Sequence, residues 1–285
     1  MRLCRFNEHR LGLIEGDAVL DVSAALEVMP AARWPFPPED ALIRHLDAVR
    51  ARIATMHDAA ESYALSDVRL LSPVGNPGKI CAAPVNYAKH LEEAEADPAT
   101  FAREHVRKIH ETGLFLKATS AVVGASEGVR LRMTERRTDH EVELAVVIGH
   151  VADRVPRAQA LRYVAGYTIG LDITLRGPEE RSLRKSIDSY CVLGPCLVTA
   201  EDVPDPSALT LELRVNGELR QAARTRDLII DVPGLIELAS SFYTLLPGDV
   251  ILTGTPAGVG PIAPGDRLTA TIEGIGTMNV DVSAA

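Results

Sequence analysis

Cysteine and aromatic residues are scarce in this sequence of 285 residues, and both shortages exclude classes of protein. The four cysteines show no paired C-x-x-C spacing, so neither a disulfide framework nor a thiolate zinc site is predicted. Aromatic residues make up 4% of the chain, and 39 acidic residues outnumber 30 basic ones. Such a chain offers little for stacking on bases or for binding phosphates, so we expect no nucleic-acid partner. Unpaired cysteines also fit a reducing, cytoplasmic location.

Long apolar segments are lacking as well. No run approaches the roughly 20 residues that a membrane-spanning helix needs. The polar segment 7–10 follows the first few residues directly and leaves no room for the apolar part of a signal peptide. We therefore expect a protein without a membrane partner.

The remaining pattern predicts a mostly β member of the α+β class, in two parts. Residues 1–72 read as a small N-terminal α/β domain, with two or three short strands over 3–22 and a helix over about 40–57. A turn-rich segment follows. Residues 78–285 then show many short strand signals separated by Gly, Pro or Asn, so we expect the catalytic domain there.

Two acidic residues begin the strong strand signal at 141–148. Period-two geometry points Glu141 and Glu143 to one partly buried face, together with Ala145 and Val147. Like charges placed in this way raise a pKa or require a cation, and carboxylate oxygens favour Mg²⁺, Mn²⁺ or Ca²⁺ over zinc. The alternative is a frayed strand end with solvated carboxylates.

Asp172 lies between Leu171 and Ile173 in an apolar segment, where a buried carboxylate needs a partner. As a third oxygen ligand it would complete a metal site with the two glutamates and leave the remaining octahedral positions to water and substrate. A structural ion pair with Arg176 explains it equally well.

Residues 88–112 are charged and helically spaced, which predicts a helical excursion over the β domain. His90 and Glu93 are three residues apart and so share a helix face, where the carboxylate can orient the imidazole as a base for water. Histidine and glutamate at this spacing are also common on solvated helix faces.

Two later segments offer polar contacts. Lys185 could reach an oxyanion or a substrate carboxylate, although a solvated surface lysine is the ordinary case. Residues 253–260 provide hydroxyls and backbone amides that could bind an anion. They lack the Lys-Ser/Thr ending of a phosphate loop, which excludes a nucleotide.

In their order along the chain, these segments resemble the fumarylacetoacetate hydrolase family from about residue 78 to the C-terminus. The matching motifs are Asn86-Tyr87-x-x-His90-x-x-Glu93, Asp139-x-Glu141-x-Glu143, Gly166-Tyr167-Thr168 through Asp172 to Arg176, Lys185-Ser186-x-Asp188, Gly194-Pro195, Val215-Asn216-Gly217-Glu218, Pro247-Gly248-Asp249-Val250-Ile251 and Thr253-Gly254-Thr255-Pro256-x-Gly258-Val259-Gly260. The N-terminal unit also resembles the N-terminal domain of the family.

The resemblance implies a mixed β-sandwich roll with a helical lid over about 88–112, usually assembled as a homodimer. It implies Mg²⁺ or Mn²⁺, with Ca²⁺ as a substitute, held by Glu141, Glu143 and Asp172. The residues that it implies for catalysis are His90, Glu93 and Lys185. The candidate substrate contacts are Arg176, Thr255, Tyr87, Lys117 and Gly254.

The resemblance further implies hydrolysis of a carbon–carbon bond in a small acylpyruvate or 1,3-dioxo carboxylic acid. A decarboxylase, or an isomerase of a 2-oxo dicarboxylic acid, is the alternative on the same site, because fold does not separate these reactions. A noncatalytic metal-binding protein is the third possibility. It predicts loss of the His and Glu pair or of a carboxylate ligand, and all five of these residues are present in this sequence. The sequence departs from the family at Gly177-Pro178-Glu179, where Asp-x-Gln is common, which leaves the substrate open. Phe101, His105 and His110 are candidate specificity residues on the lid.

Overall fold

The computed structural model describes residues 1–97 and 109–285. In chain order the strands are β1 (Arg2–Phe6), β2 (Arg10–Glu15), β3 (Ala18–Asp21), β4 (Glu61–Ala64), β5 (Leu70–Leu71), β6 (Ile80–Ala82), β7 (Phe115–Lys117), β8 (Val122–Val123), β9 (Val129–Leu131), β10 (Thr138–His140), β11 (Val142–Ile148), β12 (Val164–Asp172), β13 (Thr174–Leu175), β14 (Cys191–Thr199), β15 (Thr210–Val215), β16 (Glu218–Arg224), β17 (Val250–Leu252), β18 (Gly260–Pro261), β19 (Arg267–Ile272) and β20 (Gly276–Ala284). The α-helices are α1 (Ala41–Arg44), α2 (Leu46–Met56), α3 (Ala88–Ala96), α4 (Ile109–Thr112), α5 (Arg181–Arg184) and α6 (Val232–Phe242). Short 3-10 helices lie at Ser23–Val28, His57–Ala59, Leu65–Asp67, Thr119–Ala121, Ala125–Glu127, Arg157–Tyr163, Ala200–Asp202 and Thr225–Asp227. The predicted strand-rich α+β class is confirmed.

Three sheets organise the described part of the chain. The large sheet has twelve strands in the order β4-β3-β2-β1-β14-β12-β11-β17-β6-β7, with β5 on β1 and β8 on β14. A sheet of three strands has the order β13-β10-β18, and one of five strands has the order β16-β15-β19-β20-β9. The strands that carry the candidate metal ligands, β11 and β12, therefore lie in the interior of the large sheet.

The N-terminal strands continue this same sheet. β1 pairs antiparallel with β14, with Leu3 opposite Leu197. Helix α2 packs Leu46, Val49 and Ile53 into the same hydrophobic cluster as Leu3. The two strand groups thus share one hydrogen-bonded layer, while the predicted boundary between residues 72 and 78 stays a prediction.

Both faces of β11 are buried, which corrects the predicted half-buried face. Leu144, Val146 and Ile148 pack into one hydrophobic cluster, and Ala145 and Val147 pack into the other. Strands covered on both faces are typical of the centre of a layered domain. Any polar side chain on this strand must therefore find its partners inside the protein.

Asn216-Gly217 is a strong hairpin signal in the sequence, and the structure confirms a hairpin turn there. Both residues have positive φ, 51° and 85°, as a two-residue hairpin turn with right-handed strand twist requires. The turn joins β15 to β16, the edge strand of the five-stranded sheet. On β16 the side chain of Gln221 is buried while its neighbours Arg220 and Ala222 are exposed.

The four cysteines are free and buried, as expected for a chain without a disulfide framework. Across residues 1–97 and 109–285, no helix combines the length and the apolar character needed to cross a membrane.

Gly166 gives a test of the packing between β12 and β14. A Cβ at this position would lie 2.2 Å from the carbonyl oxygen of Val198. Because that neighbour is backbone, we expect Gly166→Ala to lower the free energy of unfolding by about 1–3 kcal/mol in urea denaturation. Gly260→Ala is the control, since its Cβ would meet only His140 Nε2 at 3.5 Å. Equal stability of the two variants would contradict this account.

Candidate active site and metal centre

The register between β11 and β12 brings three carboxylates together. Glu143 lies opposite Gly170, and the amide of Asp172 donates to the carbonyl of Glu141 at 2.8 Å. Opposite positions on antiparallel strands place side chains about 4.5–5.5 Å apart at Cβ. One oxygen from each of Glu141, Glu143 and Asp172 lies within 4.8 Å of the others, and all three residues are buried. The alternative of solvated carboxylates at a frayed strand end is wrong.

Two buried lysines face this carboxylate group. Lys185 Nζ lies 2.7 Å from Glu141 Oε2 and 2.6 Å from Asp172 Oδ2, and it also contacts Thr174 Oγ1 at 2.7 Å. Lys117 Nζ, from the end of β7, donates to Asp172 Oδ1 and to the carbonyl of Lys185. Lys185 is therefore not a solvated surface lysine, and the ordinary reading of that residue is wrong.

Arg176 contributes a second layer of charge behind Glu141. Its Nε donates to Asp139 Oδ2 at 2.8 Å and its Nη2 to Glu141 Oε1 at 3.1 Å. Asp139 is held on its other oxygen by Arg137 Nε at 2.7 Å. The alternative pairing of Asp172 with Arg176 is thus replaced by pairing of Asp172 with Lys117 and Lys185.

These partners decide the protonation of Glu141. Burial works against ionisation, but the charges of Lys185 and Arg176 outweigh it and lower the pKa of Glu141 to about 2. Glu141 is therefore a carboxylate, ready to bind a cation.

Glu143 has a different environment from the other two acids. Its Oε2 accepts a hydrogen bond from the amide of Gly254 at 2.5 Å, whereas its buried Oε1 has no hydrogen-bond partner among the residues that the structure describes. Burial, together with the charge of Asp172, raises the pKa of Glu143 well above its usual value. A buried oxygen without a partner is costly, and a divalent cation that prefers oxygen ligands would supply the partner. The residues present therefore fit such an ion.

The predicted His90 and Glu93 pair forms on α3. His90 Nδ1 lies 2.9 Å from Glu93 Oε2, and the amide of Gly258 donates to Glu93 Oε1 at 2.9 Å. His90 is buried, so the alternative of a solvated helix face is wrong for this residue. Against the opposing effect of burial, and after the larger effects of Lys185 and Arg176, the imidazole also contributes to lowering the pKa of Glu141. His90 therefore lies close enough to Glu141 to act on it electrostatically.

The predicted lid is described only in part. Residues 98–108, with Phe101 and His105, lie outside the described residues. His110 is exposed on α4.

Asn86 connects the start of α3 to the segment after β17. Its Nδ2 donates to the carbonyls of Ile230 and Thr253, both at 2.8 Å, and its Oδ1 accepts from the amide of Ile230. Gly254 has a φ of 98°, and a Cβ there would lie 2.7 Å from the Cβ of Asn86. Only glycine allows this approach, which brings the Gly254 amide to Glu143.

Tyr87 is buried beside the same centre. Its hydroxyl has no hydrogen-bond partner within residues 1–97 and 109–285. Burial, and then the charge of Glu143, raise the pKa of Tyr87. The phenol is therefore a protonated donor at neutral pH, as a substrate contact would require.

The amides of the segment 253–260 bind the protein's own carboxylates, since Gly254 serves Glu143 and Gly258 serves Glu93. The hydroxyl of Thr255 is likewise used within the protein, because it donates to the carbonyl of Val142 at 3.0 Å. The sequence predicts an anion-binding segment here, and the anions that it binds are the carboxylates of Glu143 and Glu93.

Three polar residues of the site were missed as candidates from the sequence. Thr174 had a usable signal, because period-two spacing from Asp172 points it to the same face. Asp139 belongs to the motif Asp139-x-Glu141-x-Glu143, and its spacing of two residues from Glu141 predicts the same face of an extended strand. Gln221 lies more than 70 positions from its partners Val142 and His140, and no local pattern marks it.

Comparison with known proteins places this geometry in context. Residues 79–283 match the family model described as fumarylacetoacetate (FAA) hydrolase C-terminal. The maleylpyruvate hydrolase of Aquipseudomonas alcaligenes is 57% identical over 284 residues, which cover 99% of each chain.

Two solved structures extend the comparison. Maleylpyruvate hydrolase from Sphingobium sp. SYK-6, in complex with manganese (II) ion and pyruvate, is 40% identical with a TM-score of 0.86 and 100% coverage of both chains. The 2-hydroxyhepta-2,4-diene-1,7-dioate isomerase from Mycobacterium marinum is 33% identical with a TM-score of 0.72, covering 100% of this chain and 98% of that one. These findings confirm the predicted class, a divalent-metal-dependent hydrolase of carbon–carbon bonds, and the chain belongs to the fumarylacetoacetate hydrolase family.

Proposed function

We propose that this protein hydrolyses a maleylpyruvate-type acylpyruvate into pyruvate and a second carboxylic acid. The observation that carries the proposal is the buried, hydrogen-bonded His90–Glu93 pair, whose imidazole lies close enough to Glu141 to affect the pKa of that carboxylate. Hydrolysis needs a base for water beside a centre that stabilises an enolate, and this arrangement provides both. The similarity to two maleylpyruvate hydrolases supports the choice of substrate.

His90 is the proposed base. Glu93 accepts from His90 Nδ1 and is itself held by the Gly258 amide, so the carboxylate orients the ring and stabilises the imidazolium that forms. His90 takes a proton from water, and the resulting hydroxide attacks the distal carbonyl carbon of the substrate. The carbon–carbon bond then breaks, its electron pair passes to the pyruvate enolate, and a proton returned by His90 yields pyruvate.

The carboxylates Glu141, Glu143 and Asp172 are the proposed metal ligands. When bound there, Mg²⁺ or Mn²⁺ would act as a Lewis acid toward the oxygens of the oxo acid. Lys185 holds Glu141 and Asp172 close together through its two ion pairs. We also propose that Tyr87, Lys117, Arg176, Gly254 and Thr255 either contact the substrate or hold the residues that contact it. The proposed active form is a cytoplasmic homodimer.

Arg181 is the proposed contact for the second carboxylate of a dicarboxylic substrate. Its guanidinium lies 5.4 Å from the centre of the Phe115 ring, and Lys185 Nζ lies 5.5 Å from the same ring. Burial lowers the pKa of Arg181, and Glu141 and then Asp172 raise it, so the guanidinium lies within electrostatic range of the carboxylate centre. A guanidinium in this position suits a carboxylate better than a ketone.

An isomerase or tautomerase on the same site is the second candidate, and similarity to the isomerase from Mycobacterium marinum favours it. Such a reaction needs enolisation without attack by water. It therefore predicts a single product of unchanged mass.

Turnover of a substrate panel tests the proposed reaction. Protein stripped with EDTA should be inactive toward maleylpyruvate and acetylpyruvate, and added Mg²⁺ or Mn²⁺ should restore formation of pyruvate plus maleate or acetate, followed by mass spectrometry. Oxaloacetate is included to detect tautomerisation or decarboxylation. An isobaric product would move the protein to the second candidate, and release of carbon dioxide without cleavage to two acids would indicate a decarboxylase on the same site.

Substitution of the proposed base tests its role directly. We expect His90→Ala to lower kcat for cleavage by about 10²–10⁴ while Mn²⁺ binding, measured by calorimetry, is retained. Glu93→Gln should lower kcat as well, because the imidazolium loses its carboxylate. Glu92→Gln is the matched control, since Glu92 is exposed on the same helix. Water-dependent cleavage that survives in His90→Ala would rule out this base.

Substitution of Arg181 tests the assignment of the second carboxylate. We expect Arg181→Met to raise KM for maleylpyruvate by about 10- to 100-fold, the loss of one charge-assisted hydrogen bond, and to leave KM for acetylpyruvate unchanged. Arg226→Met, at an exposed arginine, should change neither value. An equal rise for both substrates would assign Arg181 to a general electrostatic role instead.

A further inference from the structure

Strand β11, which carries Glu143 and directly follows Glu141, loses a neighbouring strand at its N-terminal end. β17 pairs with β11 only from Ala145 to Val147, and Thr253 then donates from its amide to the carbonyl of Leu144 at 3.1 Å. Val142, which lies between the two glutamates, points its amide and carbonyl toward the side that β17 no longer covers. Buried backbone groups without partners are costly, so something must replace the missing strand.

Two side chains replace it. Gln221 Oε1 accepts from the amide of Val142 at 3.1 Å, and Thr255 Oγ1 donates to the carbonyl of Val142 at 3.0 Å. Gln221 Nε2 in turn donates to Thr255 Oγ1 at 2.7 Å and to the carbonyl of Pro256 at 2.8 Å. The peptide groups on both sides of Val142 are therefore held by one connected pair of side chains.

The orientation of the Gln221 amide follows from its partners. A backbone amide can only donate and the Pro256 carbonyl can only accept, so the oxygen faces Val142 and the nitrogen faces Pro256. His140 Nδ1 lies 3.0 Å from the same Gln221 oxygen and must therefore be the protonated nitrogen. All four hydrogen-bonding positions of the Gln221 amide are used.

The burial of Gln221 is unusual for its strand. It lies on β16, at the edge of the five-stranded sheet, and it is the one residue of that strand classed as buried. The side chain crosses from this sheet to the large sheet that carries the metal ligands. Such a contact ties the position of β11 to a different sheet.

We propose that Gln221 is a positioning residue of the metal centre, which sets the spacing of Glu141 and Glu143 by holding the peptide groups of Val142 together with Thr255. The inference rests on the proposed role of Glu141, Glu143 and Asp172 as metal ligands. Residues that orient ligands from behind commonly change metal affinity by about 10- to 100-fold when they are lost. Metal affinity is therefore the quantity that reports this role.

The test compares Gln221→Leu with the control variant Thr225→Val. Thr225 lies just beyond β16 and away from β11, and its substitution removes buried hydrogen bonds with the amide and the carbonyl of Leu209. Both variants should be less stable than the wild type. We expect Gln221→Leu to weaken Mn²⁺ binding about 10- to 100-fold in calorimetry, and Thr225→Val to bind Mn²⁺ like the wild type. Wild-type affinity in a folded Gln221→Leu variant, or equal weakening in both, would overturn the proposal.

Thr255→Val and Thr255→Ser test the same contact if Gln221→Leu does not fold. Valine keeps the shape but cannot donate to Val142, whereas serine keeps the hydroxyl. We expect weakened Mn²⁺ binding in the first variant and recovery in the second, and wild-type binding in both would overturn the proposal.

Glu143→Gln separates this inference from the proposed function. Loss of Mn²⁺ binding in Glu143→Gln, together with wild-type binding in Gln221→Leu, would overturn the positioning role alone. Retained Mn²⁺ binding in Glu143→Gln would overturn the metal assignment and the positioning role with it.

Discussion

The burial of like charges on neighbouring strands is the constraint on which the rest of this structure depends. Glu143 and Asp172 lie on interior strands of a sheet that is covered on both faces, and the buried Glu141 directly precedes one of these strands. Each buried ion costs several kcal/mol unless it is paired and hydrogen-bonded. Two lysines from separate segments pair with these carboxylates, Lys117 at the end of β7 and Lys185 directly after α5. Glu143 keeps an oxygen without a partner among the described residues, and that oxygen marks where a metal cation fits.

The segments around this centre are joined by hydrogen bonds that serve structure and chemistry together. The amide of Gly258 donates to Glu93, the amide of Gly254 donates to Glu143, and Asn86 links the start of α3 to the carbonyl of Thr253, just after β17. A change in one of these contacts therefore acts on the base and on the ligands through a shared backbone. This arrangement explains why the segment after β17 contains glycines with positive φ. A residue with a side chain could not bring its backbone amide so close to these carboxylates.

The relation between the hydrolase and its isomerase relatives follows from the same geometry. Stabilisation of an enolate is common to both reactions, and in the proposed mechanism a divalent ion held by the three carboxylates would supply it. Attack by water requires in addition a base that is oriented and partly withdrawn from solvent, and the His90–Glu93 pair has these properties. The fold is thus shared with proteins named for either reaction, so it is the side chains of the site, not the fold, that must separate the reactions.

Local periodicity in the sequence by itself determined the strand-rich class, the hairpin at Asn216-Gly217, the shared face of Glu141 and Glu143, and the pairing of His90 with Glu93. Each of these depends on residues two to four positions apart, where backbone geometry alone decides which side chains meet. Only the tertiary structure decided that Asp172 pairs with Lys117 and Lys185 rather than with Arg176, and that Gln221 reaches Val142. Those contacts join segments tens of residues apart, and they depend on strand register and on the packing of one sheet against another, which local patterns do not encode.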